Sequence, residues 1–483
     1  MFKPKETSLV KGKNAMVQSL CAHLEKEDQD LSSFVQTTLD MDSVLHRLGL
    51  YERHETLTSR ISWWPVVSVV GLYSAGKSTA INDLLGVTVQ KTGKQAVDDK
   101  FTVICYGQKQ MDLPGTALMN DGRLPFYRMS DEIEKVAPGE GLLTDKFLAL
   151  KTVNSDVLKG LVLVDSPGFD ADEERASKLR LVDHILDLSD LVLVLCDANK
   201  VESGVMKNTL EHLVRKSHQR SDSHKFCYIL NQIDVTAKDN NLEEVVAAWQ
   251  RSMSSTEQTS SRFYLTYSES ARIDIQDPDV AARLKSIRDR DMGDLRKAIN
   301  KLRDVRGYHI ARTIEAVEKV LSNDVGQTLE RRINAWRKLT NICTIAAGTA
   351  GLIALTAVAS IVPELLALFI EQAAVSFGVC AVVAFTSHWY IGGLVAARLA
   401  KNLPEKYSEF DLNVRAAFLR RARGLAFLRK GPQVMTGKIV DKVGAIQNRV
   451  SALVQELNDR FASPTGKGRR KPVKNIEPVP PQK

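Results

Sequence analysis

Residues 66–85 read VVSVVGLYSAGKSTAINDLL. The apolar run at 66–70 predicts a buried strand. Gly71-Leu72-Tyr73-Ser74-Ala75-Gly76-Lys77-Ser78-Thr79 follows at once, and Ile81, Leu84 and Leu85 then share one face of a predicted helix. This is a G-x-x-x-x-G-K-[ST] phosphate loop in the strand-to-helix setting it requires. Gly71 and Gly76 let the backbone curl, so that successive amides from Tyr73 through Ser74 and Ala75 to Thr79 face phosphate oxygens. The following helix adds its positive end. Lys77 is placed to reach β- and γ-phosphates, and the Ser78 hydroxyl to bind Mg²⁺.

Two further motifs fall where such a site needs them. Between residues 63 and 270 the pattern alternates strand, turn and helix, as a mostly parallel α/β sheet requires. Continuous apolar runs at 66–70, 101–106, 161–164, 191–195 and 226–230 predict strands buried on both faces. The run at 161–164 ends in Asp165-Ser166-Pro167-Gly168. An aspartate at that strand tip holds a Mg²⁺-bound water, and the Gly168 amide meets a γ-phosphate. The run at 226–230 ends in Asn231-Gln232-Ile233-Asp234, at the place where guanine-nucleotide proteins carry [NT]-K-x-D. There the Asp234 carboxylate accepts from the ring N–H and exocyclic amine of the base, and Gln232 stands where lysine is usual.

These residues resemble the G domain of the dynamin superfamily of large GTPases, and within it most of all the Eps15-homology-domain (EHD) ATPases. Besides the phosphate loop, the resemblance rests on DKFTVICYG at 99–107, on Leu113-Pro114-Gly115-Thr116-Ala117-Leu118 with the RLPF that follows at 123–126, and on LRKAINKL at 295–302. It covers roughly residues 60–320. It implies that Ser74 stabilises the transition state and helps bind the charge-compensating cation. The alignment places Ala96-Val97-Asp98 where the family has a proline and two threonines. Asp98 thus takes the place of the switch threonine that completes the Mg²⁺ shell, with Thr92 and Thr102 as substitutes. The superfamily implies GTP and the EHD branch implies ATP; GTP is the expectation adopted, with ATP as the alternative. No D-x-[DN]-x-[DN]-G calcium loop follows residue 400.

Outside residues 61–290, read as the G domain, the chain is helical. Residues 1–60 form an N-terminal helical segment, placed outside the sheet. Residues 291–338 carry an amphipathic stripe running from Leu295 and Ile299 through Ile314, Val317, Leu321, Val325, Leu329 and Ile333 to Trp336, read as a stalk. Composition then changes abruptly. Residues 339–362, LTNICTIAAGTAGLIALTAVASIV, carry no charge over a length that can cross a bilayer, and residues 373–397 are again uncharged apart from His388. Residues 339–398 therefore read as a hairpin of two membrane helices. Gly348, Gly351, Gly378, Gly392 and Gly393 are candidates for close helix contact. Arg331, Arg332, Arg337 and Lys338 before the hairpin and Arg398, Lys401 and Lys406 after it place both ends, and the G domain, in the cytosol. Residues 399–462 form a basic helical region whose seam Val443, Ile446, Val450, Leu453, Leu457 predicts pairing with a second copy or with the stalk. Residues 463–483 read as a disordered basic tail.

The net charge of +8 is compatible with anionic lipid or nucleic acid. No zinc-finger spacing or aromatic RNP pattern supports nucleic acid, so lipid is the expected partner. The six cysteines include no C-x-x-C pair and read as mostly buried thiols of a cytosol-facing protein. The sequence thus predicts an α/β phosphate-loop G domain with a helical stalk and a transmembrane hairpin. Its expected function is a membrane-anchored NTPase that self-associates through G domains and helices. The alternative is a nucleotide-gated membrane switch or scaffold with little hydrolysis.

Overall fold

A computed structural model describes residues 20–24, 29–53, 55–91, 100–121, 124, 126, 129–136, 138–168, 175–201, 225–254, 262–361, 373–408, 410–424 and 434–461. Asp98 and Thr92, the residues joining the two apolar stretches, Arg429 and Lys430, and the basic tail lie outside the described residues. In chain order the strands are β1 (Val66–Gly71), β2 (Phe101–Tyr106), β3 (Met111–Pro114), β4 (Leu148–Val153), β5 (Val162–Asp165), β6 (Leu191–Asp197), β7 (Phe226–Asn231) and β8 (Arg262–Leu265). The helices used below are α1 (Gln29–Leu48), α2 (Lys77–Leu85), α3 (Arg175–Leu188), α4 (Leu242–Ser254), α5 (Pro278–Asp304), α6 (Arg306–Lys319), α7 (Gly326–Ile361), α8 (Ala373–Ala400), α9 (Val414–Arg421) and α10 (Gly437–Phe461).

The chain divides into two compact units, Met1–Glu27 with Ser59–Arg306, and Asp28–Thr58 with Gly307–Lys483. The first is built on one eight-stranded sheet in the order β3-β4-β2-β5-β1-β6-β7-β8. All pairings are parallel except β2 with β5 and β3 with β4. Side chains alternate across a strand, and both faces of β1 are buried. Val66 and Val70 share one core cluster with Leu181 and Ile185 of α3 and Trp249 of α4. Val67 and Val69 pack with Ile81, Leu84 and Leu85 of α2. Leu295 and Ile299, the first residues of the predicted stalk stripe, also lie in that second cluster. The helix that carries them starts well before them, at Pro278. Asp277 caps it by accepting from the N–H groups of Asp279 and Val280, and proline is well suited to the first turn.

Arg306 closes this unit. Its guanidinium meets Asp190 at 2.6 Å and also donates to the Ser62 carbonyl. The second Asp190 oxygen accepts from the Val66 N–H at 2.9 Å, where β1 begins.

The second unit is helical. α10 packs on α1, with Ile439, Val443, Ile446 and Val450 buried along with Phe34, Met41, Val44 and Leu45. The seam at 443–457 therefore has α1 as a partner within its own unit, joined at the rim by Arg449 and Lys442 on Asp40. The stalk stripe is buried from Ile310 to Trp336. Val317, Leu321, Val325, Leu329 and Ile333 recur every four residues, overshooting a turn of 3.6. A wider π turn at Val320–Val325 takes up the drift and keeps the stripe on one face.

Beyond Trp336 the character of α7 changes. The continuous helix Arg306–Val358, which runs from α6 into α7, and the part of α8 from Phe377 to Ala400 each hold a stretch long and apolar enough, by length and composition, to cross a membrane. Their large side chains point outward, with Ile345 67% and Phe377 78% exposed. The helices meet through polar contacts near one end. Trp336 Nε1 donates to the Gly392 carbonyl at 2.8 Å, and Thr344 Oγ1 lies 2.9 Å from His388 Nδ1. Of the five glycines expected at the helix contact only Gly392 is there, where an added Cβ would sit 3.5 Å from Thr340; Gly348, Gly351, Gly378 and Gly393 have nothing within 4 Å. The cysteines also differ from expectation. Cys196 and Cys227 are buried in β6 and β7 on opposite faces of the sheet, Cys21 and Cys105 half-buried, and Cys343 and Cys380 exposed on the apolar helices.

The Arg306–Asp190 pair is largely shielded from solvent, and removing one partner of such a pair leaves an uncompensated charge. Arg306→Met should therefore lower stability by about 3–5 kcal/mol in chemical denaturation. A loss below about 1 kcal/mol, typical of an exposed pair, would contradict this placement.

Candidate functional site

Three loops converge at the carboxyl ends of neighbouring parallel strands, the usual ligand position in an open α/β sheet. They follow β1, β5 and β7, and they carry the phosphate loop, Asp165 and Asn231. Gly71 ends β1 so close to β6 that a Cβ would sit 2.5 Å from the Leu195 carbonyl oxygen. Gly76 has φ +81°, and a Cβ there would lie 2.3 Å from Asn231 Nδ2. Glycine is required at Gly76 by both backbone and space. Ser74 also adopts a left-handed conformation, φ 63°, which for a non-glycine residue is uncommon and points to a functional constraint.

The turn following β7 holds the loop in that shape. Asn231 Nδ2 donates to the Ala75 carbonyl at 2.9 Å, and Gln232 Nε2 donates to the Ser74 carbonyl at 2.8 Å. Gln232 itself sits at φ 64°. The glutamine that replaces the usual lysine is thus a brace on the phosphate loop, a role its sequence position alone did not suggest. Asp234 is buried, and one carboxylate oxygen accepts from the Ile273 N–H at 2.9 Å. Burial pushes its carboxyl above the ordinary range, and that N–H opposes the shift.

Lys77 opens α2 with only 8% of its surface exposed. Its ammonium donates to the carbonyls of Gly71 and Leu72, each at 3.1 Å. Burial lowers its pKa to about 8, while the Asp165 charge pulls the other way. Ser78 and Thr79 follow, half-buried in the first turn of α2. Asp165 ends β5 and is 4% exposed. Opposite it across the antiparallel pairing stands buried Thr102. Gly168 lies against Tyr73, with an added Cβ 2.9 Å from the ring.

One residue escaped the sequence reading. Gln90 is fully buried, and its Nε2 donates to Asp165 Oδ2 at 2.6 Å. A lone glutamine outside any motif gives no signal by which it could have been found.

The donor set fits a hydrated Mg²⁺ that arrives with a polyphosphate. Ser78 and Asp165 offer hard oxygens, and among the described residues no group of three His, Cys, Asp or Glu forms a cage for a metal by itself. Mg²⁺ is held in this manner, through one or two protein oxygens together with phosphates and water.

Strand, phosphate loop, helix and the two strand-end motifs define a phosphate-loop nucleotide-binding G domain. Residues 67–233 match the family model described as Dynamin family. EH domain-containing protein 2 of Rattus norvegicus is 29% identical over 145 residues, covering 29% of this chain and 25% of that protein. EH domain-containing protein 1 of Homo sapiens is 25% identical over 177 residues, covering 35% and 31%. The chain thus spans about a quarter to a third of the length of the curated relatives it matches. Among solved structures, one of an oligomerised bacterial dynamin pair matches with TM-score 0.31 and 13% identity over 94% of this chain and 80% of that one. A structure of Aquifex aeolicus Era bound to GDP and aluminium fluoride matches with TM-score 0.27 and 15% identity over 46% and 56%. Residues 67–233 thus match a G domain of the dynamin type and are similar, over part of their length, to the EH domain-containing proteins.

The Lys77 shift gives a pH test. Above about pH 8 the nucleotide-free chain must take up a proton on Lys77 to pair it with phosphate. Affinity for a nucleoside triphosphate should therefore fall as pH rises through about 8, by up to about tenfold per pH unit. Lys77→Arg, charged throughout, should remove that slope; an unchanged slope would contradict the assignment. For the nucleotide-free chain the sign is opposite. The folded value near 8 lies below the ordinary lysine value of 10.5, so this group adds stability as pH rises between them.

Proposed function

We propose that this chain is a membrane-anchored dynamin-like NTPase. It binds GTP, with ATP as the alternative, together with Mg²⁺, and its hydrolysis drives membrane remodelling, tethering or fusion. One observation carries the membrane half of this reading. The apolar side chains of α7 and α8 beyond Trp336 face outward, whereas the core helix pair of a soluble bundle would bury them. In a bilayer that surface meets lipid, and residues 339–361 of α7 are long enough to span the ~30 Å hydrocarbon layer. Exposed Trp389 and Tyr390 suit the interface, and the flanking basic residues keep both ends of the hairpin and the G domain on the cytosolic side.

In the nucleotide half, the loop amides between Gly71 and Thr79 bind phosphate oxygens. Lys77 exchanges its two carbonyl partners for phosphate, Ser74 supports the developing charge, and Gln232 and Asn231 keep the loop in its strained shape. Asp234 accepts hydrogen bonds from the base, where a base lacking the matching donors leaves a buried carboxylate unpaired. Mg²⁺, held by Ser78 and through water by Asp165, supplies charge neutralisation on the phosphates. Nucleotide state then controls association with a second copy, and the helical unit carries that change to the hairpin.

The test is turnover by the full chain in liposomes, GTP against ATP. Turnover should rise with protein density on the membrane and be lost in Lys77→Ala, and the protein should stay in the pellet after alkaline carbonate extraction. Release by carbonate, or turnover indifferent to Lys77→Ala, would contradict the proposal.

A further inference from the structure

Asp165 does not hold its position alone. Its Oδ2 accepts from Gln90 Nε2 at 2.6 Å, the short distance typical of a hydrogen bond to a charged acceptor. On its other side the Gln90 amide oxygen accepts from Lys151 Nζ at 2.6 Å, and the same ammonium donates to the Val89 carbonyl at 3.2 Å. The Gln90 backbone is also clamped. Its N–H donates to Asn82 Oδ1 at 2.9 Å, and its carbonyl accepts from Asn82 Nδ2 at 2.8 Å. The Val89 N–H donates to the same Asn82 oxygen at 2.8 Å. Asn82 lies on α2, the helix that begins at Lys77. Gln90 is wholly buried, so none of these bonds is exchanged for water at little cost.

The charges fix which way the amide points. With its oxygen toward the Lys151 ammonium and its nitrogen toward the Asp165 carboxylate, both contacts are attractive. A flip would set NH₂ against a cation and C=O against an anion. Lys151, on β4, therefore orients Gln90, and Gln90 orients Asp165, while Asn82 ties the arrangement to the phosphate-loop helix. Groups that hydrogen-bond a metal-binding carboxylate in this manner set both its direction and its affinity for the ion.

We propose that Gln90, oriented by Lys151 and anchored by Asn82, is a positioning residue that presents the Asp165 carboxylate to the hydrated Mg²⁺ of the bound nucleotide. The inference rests on the reading of this site as a Mg²⁺–nucleotide site. It adds a dependence that the phosphate loop and the strand-end motifs do not contain. Metal affinity should respond to a glutamine and a lysine that touch neither metal nor nucleotide.

The experiment measures binding of a fluorescent nucleoside triphosphate by the full chain, first in EDTA and then across a Mg²⁺ titration. It compares wild type with Gln90→Met, which keeps volume and removes the amide, and with Lys151→Met, which keeps the amide and removes its orienting charge. Melting curves accompany each variant. In Gln90→Met the affinity in EDTA should stay within about twofold of wild type. The Mg²⁺ midpoint should rise about 10-fold or more, the range found when partners of metal ligands are removed. Lys151→Met should shift the midpoint in the same direction by less. It sits at the edge of the network, so it keeps the test decisive if Gln90→Met does not fold. A wild-type Mg²⁺ midpoint in a folded Gln90→Met or Lys151→Met protein would overturn the inference while leaving the nucleotide site intact. Equal loss of affinity with and without Mg²⁺ would also overturn it, because that marks a merely structural role. A wild-type chain that binds no nucleotide at all would overturn the site reading and this inference with it.

Discussion

The Lys77 ammonium, buried at the end of β1 and held by the carbonyls of Gly71 and Leu72, sets the terms for the structure around it. A buried cation without a carboxylate in direct contact is tolerated only if its hydrogen bonds are met. The loop that meets them must turn sharply, which accounts for left-handed backbone at Ser74 and Gly76. That shape in turn needs bracing from outside. Asn231 and Gln232 reach the loop because β7 ends at the same edge of the sheet as β1, with only β6 between them. The parallel order β5-β1-β6-β7 is therefore what brings the phosphate loop, Asp165 and Asp234 to one edge of the sheet.

The second unit obeys a different constraint. From Ile310 to Trp336 the stripe is buried, and a π turn corrects its phase. Past Trp336 the chain stops hiding its large apolar side chains, although α7 and α8 pack on each other through Gly392, Ala396 and Ala400 and the polar pairs Trp336–Gly392 and Thr344–His388. Such contacts align two helices, but they do not remove the surrounding Ile, Val and Phe surface from solvent. The proposed bilayer would do so.

How much was legible in the sequence followed burial. The central strands are covered on both faces, so they appear as unbroken apolar runs, and all five were placed within two residues of their ends. β3 was missed because it is an exposed edge strand ending in proline. β4 reads LALKTV, with a lysine whose job is to orient Gln90, and β8 is half-exposed at the opposite edge. The motif residues Gly71 to Thr79, Asp165, Gly168, Asn231, Gln232 and Asp234 could be singled out in the sequence, and the structure sets them together at the strand ends, because each has a fixed offset from a strand. Gln90 could not be, since its role depends on three partners 8 to 75 residues away in sequence. The start of α5 was readable from Asp277-Pro278, a cap followed by a first-turn proline, but the hydrophobic stripe drew attention to Leu295 instead. Glycines in an apolar helix suggest contact, yet of the five expected only Gly392 lies against the facing helix among the described residues, close to the polar pairs Trp336–Gly392 and Thr344–His388.

The central claim is that one chain joins a nucleotide site to a bilayer-crossing hairpin, and the hairpin carries its own reporters. Cys343 and Cys380 are exposed on α7 and α8, within the apolar stretches. The most direct measurement is site-resolved labelling of the full chain in sealed vesicles with a membrane-impermeant maleimide. The account predicts that Cys343 and Cys380 resist labelling in intact vesicles and react fully once the membrane is dissolved in a denaturing detergent. Labelling of both in intact vesicles, at the rate of half-buried Cys105 or faster, would contradict it.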